Sequence, residues 1–140
     1  MWSDEPNAEI ERVIDGDTVD VALAGTTERV RLIGIDTPEV AHPDREGECF
    51  GDEATAFTEQ LLPVGTPVRI ERDIVGRDDY GRLLGYLHTT DGTFVNVEIV
   101  RRGYATPLSI EPNSAHARKI AAAATAAERD DLGLWGACAG

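Results

Sequence analysis

Three short apolar stretches early in the chain, each closed by a tight polar turn, limit the possible folds more than any other feature. Residues 9–14, 18–23 and 29–35 alternate or run apolar, and Asp15-Gly16-Asp17 and Gly25-Thr26 punctuate them. Apolar and β-branched residues at a period of two, bounded by Gly and Asp, read as strands joined by turns. A polar loop follows over residues 38–51. Residues 52–62 then place Ala54, Phe57 and Leu61 at helical spacing, and Pro63 and Gly65 stop that helix.

The second half repeats the alternation. Residues 67–74 set Val68 and Ile70 against Arg69 and Glu71. Residues 82–88 pair with 93–95 around Asp91-Gly92, a dipeptide favoured in tight hairpins. Asn96 is placed to cap a short helix reaching Arg102, with Gly103 at its end. Ser114 opens a last helix that runs to about Asp131, ahead of Leu132-Gly133-Leu134-Trp135. Strands first, with helices between and after them, indicate an α+β chain. Five short strands and about three α-helices are compatible with a five-stranded OB-type β-barrel. At 140 residues one domain is expected. Its bounds are 9–137, with an N-terminal extension over 1–8 and a C-terminal tail over 138–140.

No apolar run approaches the ~20 residues that a membrane-spanning helix requires. The opening Met1-Trp2-Ser3-Asp4-Glu5-Pro6 is acidic where a secretory leader is basic. Charge argues against a polyanion partner. Asp and Glu number 26 against 13 Lys and Arg, a net charge of -13, and Lys119 is the sole lysine. Affinity for nucleic acid ordinarily comes from neutralising phosphates. One reading is an acidic domain that avoids nucleic acid. The other is a halophilic surface, since a screening length of ~3 Å at 1 M salt tolerates self-repelling acids.

Chemistry concentrates in Val13-Ile14-Asp15-Gly16-Asp17-Thr18-Val19 and in Arg29-Val30-Arg31-Leu32-Ile33-Gly34-Ile35-Asp36-Thr37-Pro38-Glu39. Each piece alone is an ordinary turn or strand exit. Together they set carboxylates at the ends of neighbouring strands, with Glu39 three positions beyond Asp36. Hard cations such as calcium take carboxylate, carbonyl and water oxygens. Asp17, Asp36 and the Thr37 carbonyl can form such a partial shell, leaving Glu39 to act on water as a general base. Arg31 and Arg82 complete the set, because the guanidinium fork matches phosphate oxygens. His42, His88 and His116 are scattered without partner spacing and read as surface or structural residues. Cys49 and Cys138 have no second Cys or His at metal-ligand spacing, which argues against zinc. They read as two buried thiols or as one long-range disulfide.

Ile14-Asp15-Gly16-Asp17-Thr18, Arg31 through Glu39, Tyr80-Gly81-Arg82 and Leu134-Trp135, in that order, resemble the signature of the staphylococcal nuclease (thermonuclease) family. The likeness runs from about Val13 to Trp135. It implies a nuclease, a micrococcal-nuclease-like hydrolase that cuts the bond to the 5′ oxygen of DNA or RNA and leaves 3′-phosphate ends. It implies one calcium ion held by Asp17, Asp36 and Thr37, with Glu39 as the base. Arg31 and Arg82 then bind phosphate, and Tyr80 contacts the nucleotide. The resemblance breaks where family members carry two tyrosines, here Leu108 and Ile110, and where a lysine gives way to Asp79. The alternative is a catalytically weak nucleic-acid-binding or protein-interaction module on the same barrel; the retained acids and arginines count against it. In the family's fold the C-terminal segment returns alongside the barrel, which implies a disulfide between Cys49 and Cys138. A disulfide in turn implies a protein that is secreted or held at the cell surface, and a monomer is expected.

Overall fold

The computed structural model of the protein describes residues 5–44 and 46–138. Its strands are β1 (Ala8–Asp15), β2 (Thr18–Leu23), β3 (Thr26–Leu32), β4 (Gly34–Asp36), β5 (Pro67–Glu71), β6 (Leu83–Thr89) and β7 (Thr106–Leu108). Its helices are α1 (Gly51–Leu61), α2 (Val95–Arg101), α3 (Ala117–Arg129) and α4 (Leu134–Ala137). Five strands close a barrel in the order β1-β2-β3-β6-β5, and β5 returns to pair with β1. Only β3 and β6 run parallel; β4 and β7 form a separate antiparallel ribbon. The protein is thus an α+β OB-type barrel, with a fourth, single-turn helix beyond the three expected.

Alternation explains the core. Val19 and Val21 of β2, Val30 and Leu32 of β3, Val68 and Ile70 of β5, and Leu83 and Leu87 of β6 turn inward and are buried. Val95, Ile99 and Val100 of α2 join Ile120, Ala123 and Ala124 of α3 to extend that core below the barrel. The small alanines of α3 let its backbone approach α2 closely.

Three local readings change. The apolar run 29–35 is two strands: Gly34 sits at φ +86°, where only glycine is relaxed, and a Cβ there would meet Ile120 Cδ1 at 2.6 Å. The bend swings Asp36 and Thr37 away from the barrel wall. Asn96 is not a cap. Phe94 holds that position, and Asn96 is buried within α2, accepting from Leu87 N and donating to the Ile33 carbonyl, at 3.0 and 2.8 Å. It ties β6 to the bend. Residues 93–95 make a single bridge, His88 to Phe94, and α3 starts at Ala117 instead of Ser114.

His88 and His116, far apart in sequence, share one carboxylate: their Nε2 atoms lie 2.8 and 3.0 Å from the two oxygens of Glu71. This joins β5, β6 and the start of α3. Burial works to raise the Glu71 carboxyl, but its bonds with His116 and His88 outweigh that and hold it below the usual glutamate value. Burial pushes the His88 imidazole down, against the pull of Glu71. Both folded values lie below the unfolded ones, so both contributions are complete above the unfolded pKa and are lost as pH falls. Urea unfolding is expected to show stability declining first below pH 6.5, through His88, and further below pH 4.5, through Glu71. Glu71→Gln should flatten the second decline; an unchanged acid limb in that variant would remove the cluster from the account.

Candidate active site

The turn between β1 and β2 is fixed from three sides. Asp17 N donates to Asp15 Oδ1 at 3.1 Å. Thr58 Oγ1 of α1 donates to the Gly16 carbonyl at 2.8 Å. The Thr37 side chain occupies the space beside Gly16 where a Cβ would come within 2.7 Å. The Gly34 bend then delivers β4 onto this turn, and Thr37 N donates to Asp17 Oδ2 at 3.0 Å. Asp17 and Thr37 are buried, whereas Asp36 is open to solvent.

Arg31 of β3 reaches both aspartates. Its Nη2 lies 3.4 Å from Asp17 Oδ2 and 3.6 Å from Asp36 Oδ1, while Nη1 donates to the carbonyls of Leu32 and Ile35, at 2.7 and 2.9 Å. The bend that moves Asp36 therefore also anchors the arginine. Burial and then the Asp17 charge raise the Asp36 carboxyl, with Arg31 opposing. Asp15 is raised to about 6, first by burial and next by Asp17, with a further push from Glu39. Acidic charge here exceeds what one guanidinium offsets, and the donors are hard oxygens.

Those features fit a divalent, oxygen-seeking cation. Among the described residues no group of three or more His, Cys, Asp or Glu side chains converges as a metal site. The converging acids are two, Asp17 and Asp36, drawn together on the Arg31 guanidinium.

Glu39 is half-buried in the loop beyond Asp36. Its N–H donates to Glu48 Oε1 at 2.7 Å, and its carbonyl accepts from Glu48 N at 2.8 Å. Gly51 makes this closure possible, since a Cβ there would stand 2.3 Å from the Glu39 carbonyl oxygen. In the same loop Cys49 is bonded to Cys138 just past α4, with Cα atoms 5.9 Å apart.

Arg82 and Tyr80 stand in the turn just before β6. Asp78 organises them: its carboxylate accepts from Arg82 Nε at 2.7 Å and from the main-chain N–H groups of Arg82 and Tyr80, each at 3.0 Å. Burial tends to raise Asp78, but the Arg82 bonds prevail and hold it low. With Nε engaged, the guanidinium has its two Nη groups for another partner. Arg82 also lies 5.5 Å from the Tyr80 ring centroid, and Tyr80 is 85% exposed. Arg31, Tyr80 and Arg82 line one cavity of about 470 Å³, whose far wall includes Leu108 and Ile110.

The structure thus joins Asp17 to Thr37 and both aspartates to Arg31, and Arg31 lines one cavity with Arg82 and Tyr80. Glu39 stands in the adjoining loop, its charge felt by Asp15. Sequence reasoning missed Asp15 and Asp78. The signal for Asp78 was its place two and four residues before the N–H groups it accepts, a spacing typical of Asx turns.

A family model described as staphylococcal nuclease homologue matches residues 29–137. A thermonuclease of Staphylococcus intermedius is 38% identical over 126 residues, 90% of this chain and 74% of that protein. A thermonuclease of Staphylococcus hyicus is 33% identical over 133 residues, 95% of this chain and 78% of its own length. Endonuclease YhcR of Bacillus subtilis (strain 168) is 34% identical over 135 residues, 90% of this chain but 11% of its own length. The chain belongs to the staphylococcal nuclease family.

Proposed function

We propose that this chain is a calcium-dependent nuclease that hydrolyses phosphodiester bonds of DNA and RNA and leaves 3′-phosphate ends. The observation that carries this reading is the contact set of Asp17, Thr37, Asp36 and Arg31, whose arginine lines one cavity together with Arg82. The named thermonuclease and endonuclease relatives agree with it.

Asp17, Asp36 and the Thr37 carbonyl would hold calcium, which when bound polarises the phosphate and offsets its charge. Arg31 and the Nη groups of Arg82 grip the other phosphoryl oxygens and stabilise the charge that grows on them. Glu39 takes a proton from the attacking water as its oxygen bonds to phosphorus. The bond from phosphorus to the 5′ oxygen breaks, that oxygen takes up a proton from solvent, and the phosphate stays on the 3′ side. Tyr80 offers its exposed ring to a base or sugar. The Cys49–Cys138 bond supports placement outside the reducing cytosol, secreted or at the cell surface. The acidic surface is read as tolerance of molar salt.

Calorimetric titration is expected to find one calcium ion per chain and, for Asp36→Asn, affinity lower by roughly tenfold or more, since ligand charge sets affinity. Equal calcium binding by wild type and Asp36→Asn would remove Asp36 from the metal shell.

A further inference from the structure

We propose that the substrate strand has a second contact surface, outside the groove, at which Arg69, Arg72 and Lys119 take phosphates a few nucleotides from the scissile bond. This rests on the nuclease reading of the groove. The starting observation is an asymmetry of pairing. With acids outnumbering bases 26 to 13, the arginines elsewhere find carboxylates: Arg12 and Arg29 on Asp20, Arg77 on Glu28, Arg82 on Asp78, Arg102 on Glu98, Arg101 and Arg129 on Asp130. Among the described residues Arg69, Arg118 and Lys119 make no ion pair, and Arg72, its guanidinium packed against Gly76, lends its charge to Glu28 without a direct pair.

Arg69 and Lys119 lie on one continuous face, and Arg72 shares a cavity with Arg69. Arg69 of β5 stands opposite His88 of β6 in the strand register. The Phe94 ring packs 4.4 Å from the His88 ring, and Lys119 Nζ lies 5.8 Å from the Phe94 centroid. Arg69 and Arg72 line a cavity of about 440 Å³, and Arg69 and His88 line another of about 360 Å³. The carboxylates on this face are already engaged. Glu71 is taken by His88 and His116, and Asp73 accepts from Tyr86 Oη and Ala115 N. Glu5, at the rim of the larger cavity, has a partner of its own.

The face is also continuous with the groove. Val75 and Asn113 both line the groove, and the Asn113 side chain bonds both the N–H and the carbonyl of Val75, at 2.7 and 2.8 Å. Four residues back from Val75, Glu71 meets His116. That distance is at most ~13 Å at ~3.3 Å per extended residue, about four nucleotides at ~3.4 Å of rise each. A strand leaving the groove along this seam brings its phosphates to Arg72, Arg69 and Lys119. Arginine forks and an exposed lysine suit phosphates without reading bases.

The test uses the full chain, oligothymidylates of 2, 4, 8 and 12 nucleotides, and fluorescence anisotropy with calcium chelated so that nothing is cut. Wild-type affinity should climb at least tenfold between 4 and 12 nucleotides. Arg69→Ala/Arg72→Ala/Lys119→Ala should lose that climb and lower the salt slope of binding by about 2, at ~0.7 per phosphate contact for single strands. Its turnover of the dinucleotide, with calcium, should equal wild type. A triple variant that binds the 12-mer as tightly as wild type overturns the proposal, as does an equal loss at every length. So does poly-glutamate displacing the 12-mer more effectively than the unlabelled 12-mer does, which would mark the face as a site for acidic protein. If the length dependence appears and the triple variant loses it, yet no oligonucleotide is cut with calcium, the nuclease reading fails and the surface stands.

Discussion

Replacing Glu39 by Gln, or Arg82 by Ala, is expected to lower kcat by about 10²–10³, the usual cost of losing one preorganised electrostatic contact in a transition state. Folding should be nearly untouched. Glu39 is half-buried in a loop held by its main chain, through Glu48, and Glu39→Gln keeps both of those bonds. Arg82→Ala removes one half-exposed ion pair, worth little to stability, and leaves Asp78 its two main-chain donors. Asp78→Asn is the informative companion. The amide keeps one acceptor oxygen but loses the charge that aims Arg82, so a loss of about tenfold, smaller than that for Arg82→Ala, is expected. Steady-state kinetics on a short oligonucleotide at saturating calcium, with melting curves alongside, separate these outcomes. Undiminished kcat in Glu39→Gln or Arg82→Ala would strip that residue of its role.

The second large effect concerns stability. Cys49 and Cys138 are 89 positions apart, and their bond closes most of the domain into one loop. The chain-entropy treatment assigns such a closure about 4–5 kcal/mol. For a domain of this size that corresponds to a melting temperature lower by about 12–18 °C in Cys49→Ser/Cys138→Ser. Both cysteines are replaced so that no lone thiol remains. Because Glu39 and Glu48 still close the loop without the bond, kcat at 25 °C should fall far less than in Glu39→Gln. Differential scanning calorimetry with and without reductant is the check, beside thiol titration of the denatured, unreduced protein, where no free thiol is expected. A melting temperature unmoved by the double substitution would contradict the assignment.

How much of this was legible in the sequence varies with the kind of contact. The barrel strands stood out because their apolar residues recur at a period of two, as Val19 and Val21 or Val68 and Ile70 show. The division between β3 and β4 did not, because Leu32, Ile33 and Ile35 are all buried and the apolar run never breaks. Only the positive φ at Gly34 separates them. β7 was missed since three residues containing Pro107 carry no strand pattern, and proline is tolerated there only in a short ribbon's edge. Asn96 looked like a cap because the local rule for asparagine before a helix is sound. Its burial against Ile33 and Leu87 is a tertiary fact that no window of sequence contains.

Within the groove the same division holds. Asp17, Arg31, Asp36, Thr37, Glu39, Tyr80 and Arg82 lie in compact motifs whose spacing announces them. Asp15 and Asp78 act through bonds to neighbouring N–H groups, and in an acidic chain nothing in composition lifts them above the other carboxylates. Glu71, His88 and His116 are spread across 45 positions and meet only because β5, β6 and the start of α3 converge.

The central claim is that Asp17, Asp36 and Thr37 hold a calcium ion on which cleavage depends, with the phosphate left on the 3′ side. The most direct test digests end-labelled single-stranded DNA with the purified chain in calcium, in magnesium and in chelator, from dilute buffer to 2 M salt, and then identifies the product termini. Cleavage in calcium alone, abolished by chelator and persisting in high salt, with ends that a 3′-phosphatase converts to hydroxyls, is the expected result. Cleavage undiminished in chelator, or ends bearing 5′-phosphate, would contradict it.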